Sequence, residues 1–263
     1  MTLIKPRSAA LVLSLALVSV SAHAQDLTIN AGETYFNDGT LTNTGTLDND
    51  GTLDNDGTLT NDGTLYNYGT LTNTGTLTND NTLTNTSFGT IFVFGGTVDA
   101  TTIDNNGTFN FTGGTLNVDT FNGDLNNTGG TLGVGNLSSF TTINGDYSQN
   151  ANSTLLIEIL GLNVSGTATL NGELKFVGSD YAGLALGDSF DILIANAIVG
   201  EFASVSNRTI NEDWMWKLDY GLDGSSVTAT VSAVPLPAAA WLFISAIAGL
   251  AGAKRMSRSK GTA

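Results

Sequence analysis

The feature that most constrains this chain is a six-residue unit that runs from Gly39 almost without error: GTLTNT, GTLDND, GTLDND, GTLTND, GTLYNY, GTLTNT, GTLTND, NTLTNT. Leu recurs at Leu41, Leu47, Leu53, Leu59, Leu65, Leu71, Leu77 and Leu83, and Asn follows two residues after each. A fixed short period marks a solenoid, because one such unit cannot bury a core and must stack on its neighbours. One apolar residue in six is too sparse for an amphipathic helix. It suits a strand of three or four residues with Thr on each side of an inward Leu. The Asn-x-Gly that follows is expected to make the turn, since both residues tolerate positive φ. Coils stacked at about 4.8 Å put Leu over Leu and Asn over Asn, and side-chain amides in such a ladder satisfy one another. A triangular coil would use three units and a flattened coil two; the spacing allows either.

The pattern loosens but persists to about residue 150, in Gly89-Thr90-Ile91, Gly96-Thr97-Val98, Gly107-Thr108-Phe109, Gly114-Thr115-Leu116 and Gly130-Thr131-Leu132. Phe92, Phe94, Phe109 and Phe111 are expected core residues of wider coils. This stretch resembles the right-handed parallel β-helix of haemagglutinin-type and autotransporter-passenger adhesins. After Tyr147 the apolar runs 154–160, 170–177, 190–195 and 227–231 read as strands. They are either antiparallel or the final coils of the solenoid, which needs an end that hides its core and strand edges. The stretches 162–170 and 187–193 resemble the C-terminal part of autotransporter-type passengers. Trp214, Trp216, Leu218 and Tyr220 alternate with Met215, Lys217 and Asp219; period 2 makes them one inward face, with an aromatic platform for sugar rings as the alternative.

Charge is unevenly placed. All 24 acidic residues lie between Asp26 and Asp223, where only Lys175, Arg208 and Lys217 oppose them. Such a surface repels phosphate backbones, so no nucleic-acid partner is expected. The chain has no Cys, and its one His is His23. With His23 in a segment expected to be removed, the usual Ser-His-Asp, Cys-His and His/Cys-zinc chemistries have no residues to run on. The chain is therefore expected not to be an enzyme; acidic pairs of a polysaccharide lyase or hydrolase cannot be singled out from so even a distribution of Asp. No cofactor is expected, with calcium as the open alternative: Asp48, Asp50, Asp54 and Asp56 place carboxylates near turns. Another alternative is an ice-binding face of Thr-x-Thr pairs, interrupted in sequence by Asp48, Asp54 and Tyr66.

Both ends carry address signals. Lys5 and Arg7 precede the apolar stretch Ala9 to Val20, and Ala22-His23-Ala24 supplies a small-x-small cleavage pattern, so the mature chain is expected to start at Gln25. An uncleaved anchor helix is the alternative. At the other end Val234-Pro235-Leu236-Pro237-Ala238 leads into the apolar run Ala238 to Ala253, then the basic residues Lys254, Arg255, Arg258 and Lys260. As a helix the run would cover about 24 Å, marginal against a hydrocarbon core of about 30 Å. The basic cluster should stay cytoplasmic and act as a stop-transfer signal. This three-part order resembles the VPLPA variant of the PEP-CTERM sorting signal, with Leu236 where the commoner form has Glu. The resemblance implies an exosortase-type processing enzyme as partner and an inner-membrane precursor. It implies a mature protein at the cell surface or in an extracellular matrix, with exopolysaccharide as a further partner. A plain C-terminal anchor is the alternative.

The expected fold class is all-β: a parallel β-helix (β-solenoid) with a C-terminal β cap domain, plus an N-terminal signal helix and a C-terminal transmembrane helix. The expected divisions are a signal peptide at 1–24, the solenoid at 25–150, the cap at 151–233 and the sorting signal at 234–263. The expected function is that of an exported structural or adhesive surface protein.

Overall fold

A computed structural model describes residues 21–24, 26–134, 140–157, 161–177, 183–222 and 224–235. All regular structure among them is β. In chain order, the first three turns are β1 (Ser21–Ala24), β2 (Leu27–Ile29), β3 (Thr34–Asn37); β4 (Thr40–Asn43), β5 (Leu47–Asn49), β6 (Thr52–Asn55); and β7 (Thr58–Asn61), β8 (Leu65–Asn67), β9 (Thr70–Asn73). Next come β10 (Thr76–Asn85) and β11 (Thr90–Val93), β12 (Thr97–Asn105) and β13 (Thr108–Phe111), and β14 (Thr115–Asn122) and β15 (Leu125–Asn127). The later strands are β16 (Thr131–Val134), β17 (Thr141–Asn144), β18 (Tyr147–Gln149), β19 (Thr154–Ile157), β20 (Leu162–Leu170), β21 (Glu173–Phe176), β22 (Ser189–Gly200), β23 (Ser204–Ser206), β24 (Trp214–Tyr220) and β25 (Ser226–Ala233).

Parallel pairing stacks these strands into three sides. The first side runs β1–β4–β7–β10–β12–β14–β16–β19–β21–β23. The second starts at β2 and continues through β5, β8 and the second half of β10; the third starts at β3 and continues through β6, β9, β11 and β13. Leu41 pairs with Leu59 and Asn43 with Asn61, a register of 18 residues. Three hexads therefore make one turn, and the coil is triangular. The protein is an all-β parallel β-solenoid.

Each short strand turns two side chains inward: the Leu and the Asn. Leu41 to Leu83 are at most 2 % exposed, each worth roughly 1.5–3 kcal/mol in burial. The Asn side chains from Asn43 to Asn85 are buried just as deeply. A buried amide is tolerated only with its bonds made, and the stack makes them. Asn43 Nδ2 donates to Asn61 Oδ1 at 2.7 Å, Asn61 to Asn79 at 2.6 Å, and Asn55 to Asn73 at 2.7 Å. Each donates a second time to a backbone carbonyl, as Asn43 does to Gly45 (2.9 Å) and Asn61 to Gly63 (2.7 Å). The three ladders run one way, from Asn37, Asn43 and Asn49, and the Oδ1 atoms of Asn43 and Asn49 are left unpartnered. Beneath Asn49 stands Ile29, which has no side-chain donor.

The hexad glycines do not act through positive φ. Among the described residues that conformation occurs at Asn207 and at nine glycines outside the strict repeat, such as Gly32, Gly96 and Gly114. The turn needs glycine for a different reason. A Cβ on Gly57, Gly63, Gly69 or Gly75 would fall inside the carbonyl oxygen of Gly39, Gly45, Gly51 or Gly57 one coil below. Corners pack backbone on backbone. At Asn81, where Gly is missing, strand structure continues through the corner, so that β10 spans two sides over 10 residues with a register shift between Asn79 and Thr82.

Beyond the hexads the register varies, 20 residues at Asn85–Asn105, 18 at Asp99–Asn117 and 22 at Asn122–Asn144. The inner corner position changes from amide to hydrocarbon: Asn79 is followed by Ala100 and Val118, and Asn73 by Val93 and Phe111. Two expected core residues lie outside. In β11, Ile91 and Val93 point in, whereas Phe92 is half-buried and Phe94 is 52 % exposed. The frame Gly89-Thr90-Ile91 has the same phase as Gly-Thr-Leu, which puts Phe92 on the outer face. Phe109 is half-buried and Phe111 is in the core.

The parallel stack continues well past residue 150, through β19, β20, β21 and β23. Antiparallel pairing begins only where β25 joins β22 and β24 joins β25. Trp214, Trp216, Leu218 and Tyr220 lie on one face of β24, packed on the core. Trp216 stacks on Phe176 at 5.3 Å and meets Phe190 edge-on at 6.1 Å, so the alternation is an inward face.

Candidate functional site

The outer surface is built from the residues that alternate with Leu and Asn, and the triangle distributes them by side. Asp48 is on the second side and Asp54 on the third. Asp50 and Asp56 occupy the two corners that follow β5 and β6. The four are thus spread around the coil, and no three His, Cys, Asp or Glu gather as a metal-holding group among the described residues. Several corner carboxylates have a structural duty. Asp26 accepts the Thr46 N–H at 2.8 Å, Asp124 that of Asp146 at 2.8 Å, and Asp146 that of Thr167 at 2.7 Å. Thr74 Oγ1 donates to Asp56.

The first side differs from the other two. Its outward pairs are Thr40 with Thr42, Thr58 with Thr60, and Thr76 with Thr78, in register over three turns. Asp48, Asp54 and Tyr66, which interrupt the Thr pattern in the sequence, fall on the other sides. From the next turn Asp99 and Asn117 replace the second Thr, joined by a 2.5 Å hydrogen bond.

Aromatic side chains collect on the outside around the third side. Tyr66 and Tyr68 stack with centroids 6.3 Å apart, and Phe92 and Phe94 stack at 5.2 Å. Phe88, in the turn that enters β11, is 86 % exposed. Sequence reasoning missed this cluster because it grouped Phe92 and Phe94 with the core by size.

Groups with perturbed acidity are scattered. The Asn30 side chain and N–H hold the Glu33 carboxyl below its usual value. Burial pushes the Tyr147, Tyr220 and Tyr35 phenols up. Tyr147 lies inside the stack between Leu125 and Ala168 and donates to Gln149 Oε1 at 2.9 Å.

At the ends, the backbone of Ser21–Ala24, which includes Ala22 and Ala24, pairs with β4. Val234 and Pro235 follow β25 directly and are exposed. Gln25, Leu236, Pro237, Ala238, Lys254, Arg255, Arg258 and Lys260 lie outside the described residues, as do the expected signal and transmembrane helices. Among the described residues no helix is long and apolar enough to cross a membrane. No protein-family model and no curated protein matches the chain.

Proposed function

We propose that this chain is a non-enzymatic structural or adhesive protein of the cell surface or extracellular matrix. In this reading it is exported by its N-terminal signal and sorted by an exosortase-type enzyme at Val234–Ala238. The observation that carries the reading is the junction at the end of β25. The sorting motif begins one residue after the last strand, and its first two residues are exposed, so an enzyme could reach the motif without unfolding the solenoid. The β24–β25 hairpin supports a cap role, since its apolar face covers Phe176 in β21. A stiff stack with an acidic exterior suits a secreted scaffold, because net charge keeps it soluble.

The test compares wild type with the Pro235→Ala/Pro237→Ala variant in the native envelope, by intact mass and fractionation. Tail loss in wild type, with an intact tail and inner-membrane retention in the variant, is the expected result. An intact tail in both would leave a plain anchor.

A second reading is favoured by one observation, the uninterrupted Thr pairs on the first side. A rigid, uncharged hydroxyl array with fixed spacing along and across strands can order water, as an ice-binding face must. Inhibition of ice recrystallisation by wild type, lost in Thr60→Lys, is its expected signature; equal activity of the two proteins, or none in either, removes it.

A further inference from the structure

Four Asn-Gly pairs occur in the chain, at Asn106, Asn122, Asn144 and Asn171, all outside the strict hexads. Such a pair can close a ring on itself, because the glycine nitrogen reaches the asparagine Cγ through a loop of five atoms and glycine has no side chain to block the approach. Whether the ring closes depends on how the two groups are held. In the hexads the corner glycine N–H is committed to the coil below: Gly57 donates to Asn37 O at 2.7 Å and Gly75 to Asn55 O at 3.0 Å. Asn122 and Asn144 have their side chains engaged elsewhere. Asn122 Nδ2 donates to Asp104 Oδ1 at 2.5 Å, its Oδ1 accepts Asn144 Nδ2 at 2.6 Å, and the Gly123 N–H donates to Asn144 O at 3.2 Å. Asn171 is held differently. It is exposed, and its Oδ1 accepts the N–H of Gly172 at 2.8 Å. With a C=O bond of about 1.23 Å, Cγ lies no more than about 4 Å from that nitrogen. Asn81 makes the same bond to Thr82 at 3.0 Å, but there a β-branched side chain crowds the nitrogen. Position 172 admits only glycine, since its φ is +63° and a Cβ would fall 2.3 Å from Asn150 O and 2.4 Å from Ser153 O.

We propose that Asn171 is a self-modification site whose co-reactant is water. The Gly172 nitrogen gives its proton to solvent and bonds to Asn171 Cγ. The Cγ–Nδ2 bond breaks, and Nδ2 takes up a proton and leaves as ammonia. Water then opens the five-membered imide at either of its carbonyls, leaving an aspartyl or an isoaspartyl residue. Nothing is oxidised or reduced, and the net exchange is one water in and one ammonia out. The product places a new carboxylate two residues from Glu173, and its isoaspartyl form adds one atom to the backbone between β20 and β21. That corner has little slack. Gly172 lies against Asn150 O and Ser153 O, and its own carbonyl accepts the Ser204 N–H at 3.1 Å. Modification therefore loosens the stack next to Lys175, which is the first basic residue after Arg7.

The test ages the full chain at neutral pH, folded and in urea, and follows each Asn-Gly pair by peptide mapping for the gain of about 1 Da that replaces an amide by an acid. In the folded protein Asn171 should convert at least about tenfold faster than Asn106, Asn122 or Asn144. In urea the four should converge, because the chain no longer holds the groups apart or together. Labelling by a protein isoaspartyl methyltransferase should place the isoaspartyl product at position 171. Asn171→Gln, whose longer side chain no longer closes a five-membered ring, should stay unmodified with the circular dichroism of wild type. Trypsin should cut after Lys175 at least about threefold faster in aged than in fresh wild type, and at one rate in aged and fresh Asn171→Gln. Folded-state conversion of Asn106 as fast as that of Asn171, or a spread of rates that survives in urea, overturns the proposal by making the dipeptide alone responsible. No conversion at Asn171 overturns it outright, and an unchanged tryptic rate after full conversion removes the loosening.

Discussion

The strict hexads between Gly39 and Asn85 and the looser turns from Gly89 to Phe176 are stacked in the same way but held differently. In the hexads the corners carry a buried Asn, whose amide from Asn43 to Asn67 bonds to the Asn above, and, except at Asn81, a Gly whose missing Cβ lets one backbone sit on the next. In the later turns hydrocarbon such as Ala100, Val118 and Phe111 fills the same inner positions, and insertions lengthen the corners. Hydrogen bonding fixes the first region, which tolerates no change of length. Volume fixes the second, which accepts longer turns because apolar contacts are not directional.

The sharpest way to break this contrast is at the corners. Gly63→Ala forces a Cβ into Gly45 O, where both partners are backbone, and should cost about 3 kcal/mol. Gly95→Ala, whose Cβ would have nothing nearer than 3.7 Å and whose φ is not positive, should stay within about 0.5 kcal/mol. Urea midpoints decide it; equal effects would show that the glycine stack does not govern the hexads.

Next in size is the amide ladder. Asn61→Ala removes the acceptor of Asn43 and the donor to Asn79, both buried, and should cost about 2–3 kcal/mol in thermal unfolding. Asn144→Ala cuts a bond of similar length, 2.6 Å to Asn122, on the exposed surface, and should cost about 0.5 kcal/mol or less. A large loss at Asn144 would mean that exposure is not what separates the two ladders.

A smaller effect belongs to the later turns alone. Burial raises the Tyr147 phenol above its usual value of about 10, so the unfolded chain releases this proton first. Its contribution to stability is complete below about pH 10 and declines as pH climbs towards the raised folded value, by up to about 1.4 kcal/mol per pH unit. Tyr147→Phe should flatten that alkaline decline while costing about 1 kcal/mol at neutral pH through the lost bond to Gln149. Stability curves from pH 7 to 11 test it, and a variant that keeps the wild-type slope would contradict it. The smallest change is expected at Phe94→Ser, within about 0.5 kcal/mol, since the ring is half out in water.

Much of the candidate surface was hidden in the sequence because β11 carries apolar residues in both phases. Thr90-Ile91-Phe92-Val93 has no polar alternate to mark the outside, so residue size suggested a core role for Phe92 and Phe94 that the Gly-Thr-apolar frame would have denied. The acidic corners at Asp26 and Asp146 were equally opaque. Their backbone partners, Thr46 and Thr167, lie 20 and 21 residues away, a separation set by turn length. Trp214 and Trp216 were legible, because the polar alternation with Lys217 and Asp219 fixes their face.

The sequence by itself determined the unit of this protein: a four-residue strand with Leu inward, Thr outward and an amide stacked on its own kind. Sparse apolar spacing leaves a short strand as the structure that buries each Leu. Only the tertiary structure decided that three units close a turn. The eight hexads are chemically near-identical, so stacking any unit on any other satisfies the same local bonds, and no side chain encodes a register of 18 over one of 12 residues. The choice falls to the interior: three sides enclose a space that three Leu and three Asn fill, with stacked amides bonding to one another and corner glycines resting on the backbone of the coil below.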